Sequence, residues 1–284
     1  MGKKMDLYGR TAIVTGSASG IGRAVAISLA KRGCNLAIAD VNDTGLAETA
    51  TLIGDRVRIS RHHLDVGDAA AIKAFPAEVL AEHEGVDILV NNAGVGVGGT
   101  FEQASEDDFE WLIDINFYGV VRMTRAFMPL LRKSDDARIV NISSIFGIIA
   151  PPEETAYCAS KFAVKGFSES LRNELTGSKI GVTVVHPGGV RTSIAENARM
   201  PSDVPQAEID RRMAIFRKLL RLPPEVAGET IVQGIENRRD RILVGSDAKA
   251  MSLIARLFPV SYWKVLTWKG PLRKATKQLE KASS

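Results

Sequence analysis

Two residues of the segment YCASK, Tyr157 and Lys161, are of types that can move a proton. They stand four positions apart, so a helix would place both side chains on one face. A free tyrosine has a pKa of about 10, and a nearby lysine ammonium lowers that pKa by stabilising the phenolate. Such a tyrosine can donate a proton to a carbonyl oxygen or take one from an alcohol. The pair is common on helices, so it indicates this chemistry only where other motifs support it.

A second motif, TGSASGIG at residues 15–22, has the composition of a phosphate-binding turn. It contains the glycines Gly16, Gly20 and Gly22, and it lies between an apolar run and an amphipathic stretch. Glycine lets the backbone approach a phosphate closely, and a following helix offers free N–H groups to the anion. A glycine-rich turn is often only a turn, but its place after a first strand and before a helix matches dinucleotide sites.

Asp40 ends the next apolar run, NLAIAD, 18 residues after Gly22. A carboxylate at this place can accept hydrogen bonds from both hydroxyls of an adenosine ribose, and it would repel a 2′-phosphate. No basic residue precedes Gly20 or follows Asp40, because those positions hold Ser19 and Val41. The register therefore favours NAD over NADP, and the alternative is that Asp40 only caps a loop.

The elements that must position these residues alternate along the chain. Apolar, β-branched runs recur and are separated by longer helical patterns; the runs are TAIVTG, NLAIAD, VRISRHHLDV, DILVNNAG, ARIVNISS, GVTVVHPG and RILVG. Such runs indicate strands buried on both faces of a parallel sheet. Residues 1–245 are therefore predicted to form one α/β domain, a doubly wound Rossmann-type parallel sheet of about seven strands with helices on both faces.

Two regions fall outside this alternation. Residues 191–224 begin as a polar loop and include a predicted helix with an apolar face made of Ile209, Met213, Phe216 and Leu220. Residues 246–284 form a predicted basic, amphipathic C-terminal helical extension, which Pro259 would divide into two helices. This extension would fold over the active site or a neighbouring subunit, lie on an anionic membrane, or remain loosely ordered.

Charge and composition exclude several classes of protein. The net charge of +4 is uneven, because residues 246–284 hold eight basic and two acidic residues and the rest of the chain carries −2. The mildly acidic body argues against nucleic-acid binding. Only Cys34 and Cys158 are cysteines, and neither they nor His62 and His63 have a metal-ligand spacing, so no metal is predicted. Few cysteines, no secretory signal and no long apolar run predict a cytoplasmic protein.

Taken together, the motifs resemble those of the short-chain dehydrogenase/reductase family. The matching segments are TGSASGIG (15–22), Asp40, LDV (64–66), NNAG (91–94), Asn116, ISS (142–144), YCASK (157–161) and PGGVRT (187–192). They stand in the family's order and spacing over roughly residues 6–245. The resemblance implies a homodimer or homotetramer that uses a nicotinamide dinucleotide to interconvert an alcohol and a ketone.

The resemblance also implies a role for each matching residue. Tyr157 would be the acid/base, tuned by Lys161, with Ser144 rather than Ser143 holding the substrate oxygen and Asn116 kinking a helix and carrying a water. The cofactor would contact Gly16, Ser19, Gly20, Ile21, Gly22, Asp40, Asp65, Val66, Asn92, Ala93, Gly94, Tyr157, Lys161, Pro187, Gly188, Val190 and Thr192. Asp65 and Val66 would flank the adenine, and Thr192 would lie near the carboxamide.

The substrate is predicted from the apolar residues that follow Ser144: Ile145, Phe146, Ile148 and Ile149. With the lid predicted at 191–224, they favour a hydrophobic secondary alcohol or ketone over a small sugar, although they could simply pack the lid. A non-catalytic dinucleotide sensor or a membrane-associated scaffold on the same fold is the alternative. A sensor would not need Ser144, Tyr157 and Lys161 together. His186 and Cys158 are interpreted as packing residues.

Overall fold

The computed structural model of the protein describes residues 4–201 and 204–268. Within these ranges the strands are β1 (Thr11–Thr15), β2 (Asn35–Asp40), β3 (Ile59–His63), β4 (Ile88–Asn91), β5 (Ala137–Ile142), β6 (Ile180–Pro187) and β7 (Arg241–Val244). The α-helices are α1 (Gly20–Ala30), α2 (Asp43–Ile53), α3 (Ala69–Glu82), α4 (Glu106–Ile113), α5 (Gly119–Leu131), α6 (Thr155–Glu174), α7 (Gln206–Leu219), α8 (Pro224–Glu236), α9 (Ser246–Leu257) and α10 (Tyr262–Trp268).

The seven strands form one sheet in the order β3-β2-β1-β4-β5-β6-β7, and every neighbouring pair is parallel. This arrangement confirms the predicted doubly wound parallel sheet. The strand order reverses direction between β1 and β4, and a crevice at the carboxyl ends of the strands is expected where such a reversal occurs. β1 leads into the glycine turn and β4 leads into the segment NNAG, so both motifs lie at that crevice.

Alternation along β1 sends side chains into two separate cores. Ala12 and Val14 belong to one core and Ile13 to the other, because successive residues of a strand point to opposite faces. The first core packs under α1, α2 and α8, with Leu29, Leu46, Ile231 and Ile235 among its buried residues. The second packs under α3 and α5, with Ile72, Phe75, Phe127 and Leu131. Helices therefore cover both faces of the sheet.

Polar side chains fix where several of the helices begin. The Asn42 side chain accepts a hydrogen bond from Gly45 N–H at the start of α2, and Asp68 accepts from Ala70 and Ala71 at the start of α3. Ser105 accepts from the Asp108 N–H at the start of α4. Each bond satisfies a backbone donor that would otherwise lack a partner within its helix. The loops that carry site residues are thus joined to well-defined helix ends.

The C-terminal extension divides at Pro259 as predicted, giving α9 and α10. These helices pack on the segment after Ser144, in a cluster whose buried members are Ile145, Ile149, Ala248, Met251 and Leu266. The Tyr262 hydroxyl accepts a hydrogen bond of 3.0 Å from Ala150 N–H. Part of the tail's apolar surface faces outward instead, since Leu253, Leu257, Phe258, Val260 and Trp268 are exposed. Residues 269–284 lie outside the described residues.

The segment predicted as a lid contains α7, whose Ile209 and Met213 are half-buried, as is the following Leu220. The side chain of Phe216, predicted on the same face, lies outside the described part of the structure. Before α7, Arg199 pairs with Asp108 at 2.9 Å and lies 3.5 Å above the Trp111 ring, which joins this segment to α4. Among residues 4–201 and 204–268, no helix is long and apolar enough to span a bilayer.

Candidate active site

The glycine turn after β1 is packed so closely that side chains would not fit there. A Cβ atom at Gly22 would lie 2.1 Å from the Gly16 carbonyl oxygen, and one at Gly16 would lie 2.8 Å from Ala93 Cα. Asn92 Nδ2 donates to the carbonyl oxygens of Thr15 and Gly16, each at 2.9 Å. The turn is therefore held against the segment after β4, as a close approach of backbone to a phosphate requires.

The start of α1 adds the donors that such a site needs. Ser19 precedes the helix in an extended conformation and makes no side-chain cap, and the first turn contains no acidic residue. The N–H groups of the first turn, at Gly20, Ile21 and Gly22, have no partner within the helix, because the first donors of any α-helix lie before its hydrogen-bond ladder. The positive end of α1 and these donors fit an anionic pyrophosphate.

Asp40 lies beside the glycine turn at the end of β2. Its Oδ2 accepts a hydrogen bond of 2.9 Å from Ala18 N–H, and its Oδ1 accepts one of 3.1 Å from Asn42 N–H. The carboxylate thus supports the local loops, which was the alternative interpretation of this residue. It is half-buried, and each carboxylate oxygen can accept more than one hydrogen bond, so the expected role toward a ribose is compatible with this geometry.

Other predicted cofactor residues lie around the same crevice. The N–H groups of Asn92 and Ala93 both donate to Thr15 Oγ1 at 3.0 Å, which joins the NNAG segment to the end of β1. Asp65 Oδ1 accepts a 2.8 Å hydrogen bond from Gly67 N–H. Val66 is buried and packs closely against Gly119, where an added Cβ would lie 3.1 Å from Val66 Cγ2. Its predicted contact with adenine stays a prediction.

The loop at residues 187–192 approaches the glycine turn from the opposite side. A Cβ at Gly20 would lie 3.1 Å from Thr192 Cγ2, so this threonine stands directly across from the turn. Val190 is buried, and the Arg191 N–H donates to the Leu222 carbonyl oxygen at 2.9 Å. Residues that stand about 170 positions apart in the sequence therefore line one cleft.

Tyr157 and Lys161 lie on α6, as the sequence predicts, and both are close to the end of β5. The Lys161 ammonium lies 5.5 Å from the centre of the Tyr157 ring and donates to the Ile142 carbonyl oxygen at 3.3 Å. Lys161 is almost completely buried, although no carboxylate pairs with it in the described structure. A buried lysine in this setting is costly unless a ligand or a neighbouring group uses it.

The two adjacent serines at the end of β5 have different partners. Ser143 Oγ donates to the Lys161 carbonyl oxygen at 2.8 Å and is thereby committed to the packing of α6. Ser144 Oγ accepts from Phe146 N–H at 3.1 Å, and its hydroxyl lies near enough to Tyr157 to lower the pKa of the phenol. The structure therefore places Ser144, the residue preferred from spacing, beside the tyrosine.

His186 hydrogen-bonds the backbone of Ser144. Its Nδ1 donates to the Ser144 carbonyl oxygen at 2.9 Å, and burial lowers the pKa of His186 to about 4. The imidazole is neutral near pH 7 and acts as a packing residue, as expected. Cys158 is not an activated nucleophile, because burial raises the pKa of its thiol to about 12.

Asn116 interrupts the helical region between α4 and α5. It lies in a π-helical turn, Asp114–Tyr118, which gives the expected kink a structural basis. Its side chain is fully buried, with Nδ2 donating to the Val95 carbonyl oxygen at 2.9 Å and to Ser160 Oγ at 3.3 Å, and with Oδ1 accepting from Val95 N–H at 2.8 Å. Both hydrogens of the side-chain amide are donated to protein atoms. The water that Asn116 was expected to carry would therefore have to bond another atom of this residue, such as its backbone carbonyl oxygen.

The electrostatics of the site differ from the sequence-based expectation. Burial raises the pKa of Tyr157, the nearby Glu154 carboxylate raises it further, and the neighbouring Ser144 hydroxyl opposes both effects. Burial also lowers the pKa of Lys161 to about 8. We expected Lys161 to lower the pKa of Tyr157. Loss of hydration dominates instead, because both groups lie in the same poorly solvated region.

Two residues of this region were not predicted. Glu154 stands one turn before Tyr157, and burial raises the pKa of its carboxyl group to about 8. Asp247 accepts a 2.7 Å hydrogen bond from Gly189 N–H in the 187–192 loop. The three-residue spacing to Tyr157 could have indicated Glu154. No spacing could have indicated Asp247, which stands 58 positions from its partner.

A parallel sheet that brings a glycine turn and a Ser-Tyr-Lys group to one crevice defines a dinucleotide-binding oxidoreductase. Residues 10–203 match the family model described as short chain dehydrogenase. The chain belongs to the short-chain dehydrogenase/reductase family. It is 41% identical over 267 residues to a Mycobacterium tuberculosis protein named as the oxidoreductase SadH, covering 91% of this chain and 94% of that one.

Solved structures support the same relationship. A short-chain dehydrogenase/reductase from Burkholderia phymatum in complex with NAD is 30% identical, with a TM-score of 0.81 over 89% of this chain and 95% of that one. An alcohol dehydrogenase from Thermococcus sibiricus complexed with 5-hydroxy-NADP is 25% identical, with a TM-score of 0.69 over 83% and 94%. Both forms of the nicotinamide dinucleotide thus occur among the structural neighbours.

Proposed function

We propose that the protein is an NAD-dependent oxidoreductase that interconverts a hydrophobic secondary alcohol and the corresponding ketone, with Tyr157 as acid/base. The observation that carries the proposal is the contact of Tyr157 with Ser144, beside the buried Lys161 and the glycine turn. The coincidence of these groups favours an enzyme over a dinucleotide sensor or a membrane-associated scaffold.

The cofactor would be held at the glycine turn and the start of α1, by Asp40, by the NNAG segment and by the 187–192 loop. The fit rests on the crowding at Gly16 and Gly22, which leaves bare backbone at the turn, and on the uncapped first turn of α1. When bound there, a nicotinamide dinucleotide supplies or accepts the hydride of the reaction.

The residues of the chain handle the proton. In reduction, the Tyr157 hydroxyl donates its proton to the substrate oxygen as that oxygen gains negative charge, and in oxidation the phenolate takes the proton from the alcohol. The Ser144 hydroxyl holds the same oxygen by a hydrogen bond. Because burial disfavours the phenolate, the Ser144 hydroxyl is the group that lowers the pKa of Tyr157. The Lys161 ammonium, 5.5 Å from the centre of the ring, would favour the phenolate while it carries its charge.

The preference for NAD over NADP rests on Asp40. Its carboxylate is fixed beside the glycine turn by Ala18 and Asn42, at the place where an adenosine ribose is expected. The Arg23 guanidinium, a nearby positive charge, is engaged by Glu48 at 2.8 Å and by Thr49 at 3.0 Å. A 2′-phosphate would therefore meet negative charge rather than a free cation.

The proposal of an apolar substrate is supported by fewer residues than the sequence indicated. Ile145 and Ile149 are buried against the C-terminal extension and serve packing. Phe146 is half-buried, and its ring stands edge-on to the Tyr157 ring at 6.2 Å. This aromatic side chain therefore supports an apolar surface near the reacting hydroxyl.

The test is a panel of hydroxyl and carbonyl compounds with NAD(H) and NADP(H) side by side, followed at the nicotinamide absorbance. We expect turnover of hydrophobic alcohols or ketones with NAD(H), and we expect Tyr157→Phe to lower kcat by at least about 100-fold while the Kd for NADH changes little. The conservative replacement keeps the ring and removes only the hydroxyl. Turnover retained by Tyr157→Phe would contradict the acid/base assignment, and preference for NADP(H) or for small sugars would contradict the cofactor or substrate assignment.

A further inference from the structure

Asp247 is an acidic residue in the first turn of α9, outside every motif of the family resemblance. Its carboxylate reaches back to the 187–192 loop and accepts the Gly189 N–H at 2.7 Å. We propose that Asp247 is a positioning residue that fixes this loop for cofactor binding. The proposal rests on the proposed function, because the loop is assigned to the cofactor there.

Two glycines leave the space that this carboxylate fills. A Cβ at Gly188 would lie 2.4 Å from both Asp247 oxygens, and one at Gly245 would lie 2.3 Å from Oδ1. Separations below about 3 Å cannot be accommodated without movement of one partner. The loop and the start of α9 are therefore shaped around the carboxylate of Asp247.

The hydrogen bond of Asp247 crosses between elements. An acidic residue in the first turn of a helix commonly caps its own N-terminus, and the helix dipole stabilises the charge there. The Asp247 side chain instead bonds Gly189, which follows β6 and is 58 residues away. The carboxylate thus lies near the positive end of the α9 dipole while its Oδ2 accepts from the loop.

The helix that carries Asp247 is itself firmly attached. Ala248 and Met251 of α9 are buried against Ile145 and Ile149, which directly follow Ser144. Asp247 thereby joins two parts of the site, the segment that carries Ser144 and the loop expected to enclose the nicotinamide. Loss of the carboxylate would remove the hydrogen bond that holds the Gly189 N–H, while the backbone bonds from Gly188 to Val244 and from Arg191 to Leu222 remain. It would thereby loosen the loop without removing any residue that is expected to touch cofactor or substrate.

Direct titration with NADH, followed by nicotinamide fluorescence, tests the proposal. We expect Asp247→Ala to raise the Kd for NADH and the KM for NAD about tenfold, because a hydrogen bond to a charged group is lost, with a smaller effect on kcat. Asp247→Asn keeps an acceptor oxygen and should bind NADH within about threefold of the unmodified protein. Lys249→Ala, on the exposed side of α9, is the matched control and should leave the Kd unchanged.

A double-mutant cycle separates positioning from a general loss of stability. Gly188→Ala alone crowds the carboxylate and should weaken NADH binding, whereas the same change should cost much less in the Asp247→Ala background, since the crowding atoms are gone. If the two substitutions have additive effects on the Kd for NADH, or if Asp247→Ala leaves this Kd unchanged, the role of Asp247 is contradicted while the proposed function stands. Failure of the unmodified protein to bind either dinucleotide would overturn the proposed function and this inference together.

Discussion

At the scale of single residues, Glu154 has the least expected environment. It stands one turn before Tyr157 on the same segment, and its charge raises the pKa of the tyrosine. Burial in turn raises the pKa of Glu154 from 4.5 to about 8, with a smaller contribution from the charge of Glu153. Burial therefore favours the protonated form of Glu154, which links its titration to the stability of the fold and to the acidity of Tyr157.

Replacing Glu154 by glutamine should alter the pH dependence of stability. The folded-state pKa is raised, so the folded protein binds this proton more tightly than the unfolded chain does between pH 4.5 and about 8. The contribution of Glu154 to stability is therefore lost as the pH rises through that window. We expect the Tm of Glu154→Gln, relative to the unmodified protein, to increase from pH 4.5 to 8.

Calorimetry at closely spaced pH values measures this difference. Glu84→Gln, at an exposed position, provides the control for removal of one carboxylate and should show no such trend. A Tm difference between Glu154→Gln and the unmodified protein that does not vary from pH 4.5 to 8 would show that Glu154 titrates alike in the folded and unfolded states.

At the scale of secondary-structure elements, the close approach of α1 and α8 supports the cofactor site. A Cβ at Gly228 on α8 would lie 2.6 Å from the Ala24 carbonyl carbon on α1. Polar bonds join the same helices, because Ser28 donates to Glu229 at 2.8 Å and Arg32 pairs with Glu229 at 2.7 Å. The position of the first turn of α1, which faces the expected pyrophosphate, therefore depends on a glycine in another helix.

Gly228→Ala should force α8 away from α1. Overpacking of this kind costs about 1–3 kcal/mol, so we expect the free energy of unfolding to fall by that amount in urea titrations. Gly166→Ala is the matched control, because Gly166 is an exposed glycine of α6 whose added Cβ would meet no atom within 4 Å. That variant should gain roughly 0.5–1 kcal/mol from helix propensity. Equal effects of the two substitutions would show that the approach of the helices is not tight.

At the scale of the whole molecule, residues 246–268 of the C-terminal extension pack on the folded body. Its buried residues Met251 and Leu266 lie against Ile145 and Ile149, in keeping with the first of the three interpretations drawn from sequence. The outward side, with Leu257 and Val260 exposed, leaves the peripheral membrane contact as a prediction. Homo-oligomer formation and cytoplasmic location also stay predictions.

Two truncations test how much the described helices of the extension, α9 and α10, contribute to stability. A chain ending at Gly245 loses the burial of Met251 and Leu266, so its free energy of unfolding should fall by roughly 3–6 kcal/mol. A chain ending at Trp268 keeps every contact described for α9 and α10, and it should be more stable than the chain ending at Gly245 by that amount. If the shorter chain is as stable in urea titrations as the full chain, the extension contributes no packing.

The same truncations test the membrane prediction with vesicles that contain phosphatidylserine. Binding by the full chain that weakens with salt and is lost when the chain ends at Gly245 is the expected result, because basic and apolar residues act together at an anionic surface. Vesicle binding that survives removal of residues 246–284 would contradict it.

The seven strands and the site motifs could be predicted from sequence because each depends on local pattern. Apolar runs fix the strands, and the four-residue spacing of Tyr157 and Lys161 fixes their common face once α6 forms. The pKa shifts of these two residues could not be predicted, because they depend on burial by distant segments. The same holds for Asp247, whose partner Gly189 is brought near only by the complete sheet.

The late position of Asp247 in the chain has a consequence for biosynthesis. A ribosome makes the glycine turn, the serine, the tyrosine and the lysine of the site well before it makes Asp247. Domains fold largely as units as they emerge, so the residues of the site can come together in the nascent chain before Asp247 is available to bond Gly189. Chains terminated before Asp247 would therefore hold the dinucleotide at least about tenfold less tightly than the full chain, the loss expected for Asp247→Ala, and would compete poorly for the cellular dinucleotide pool.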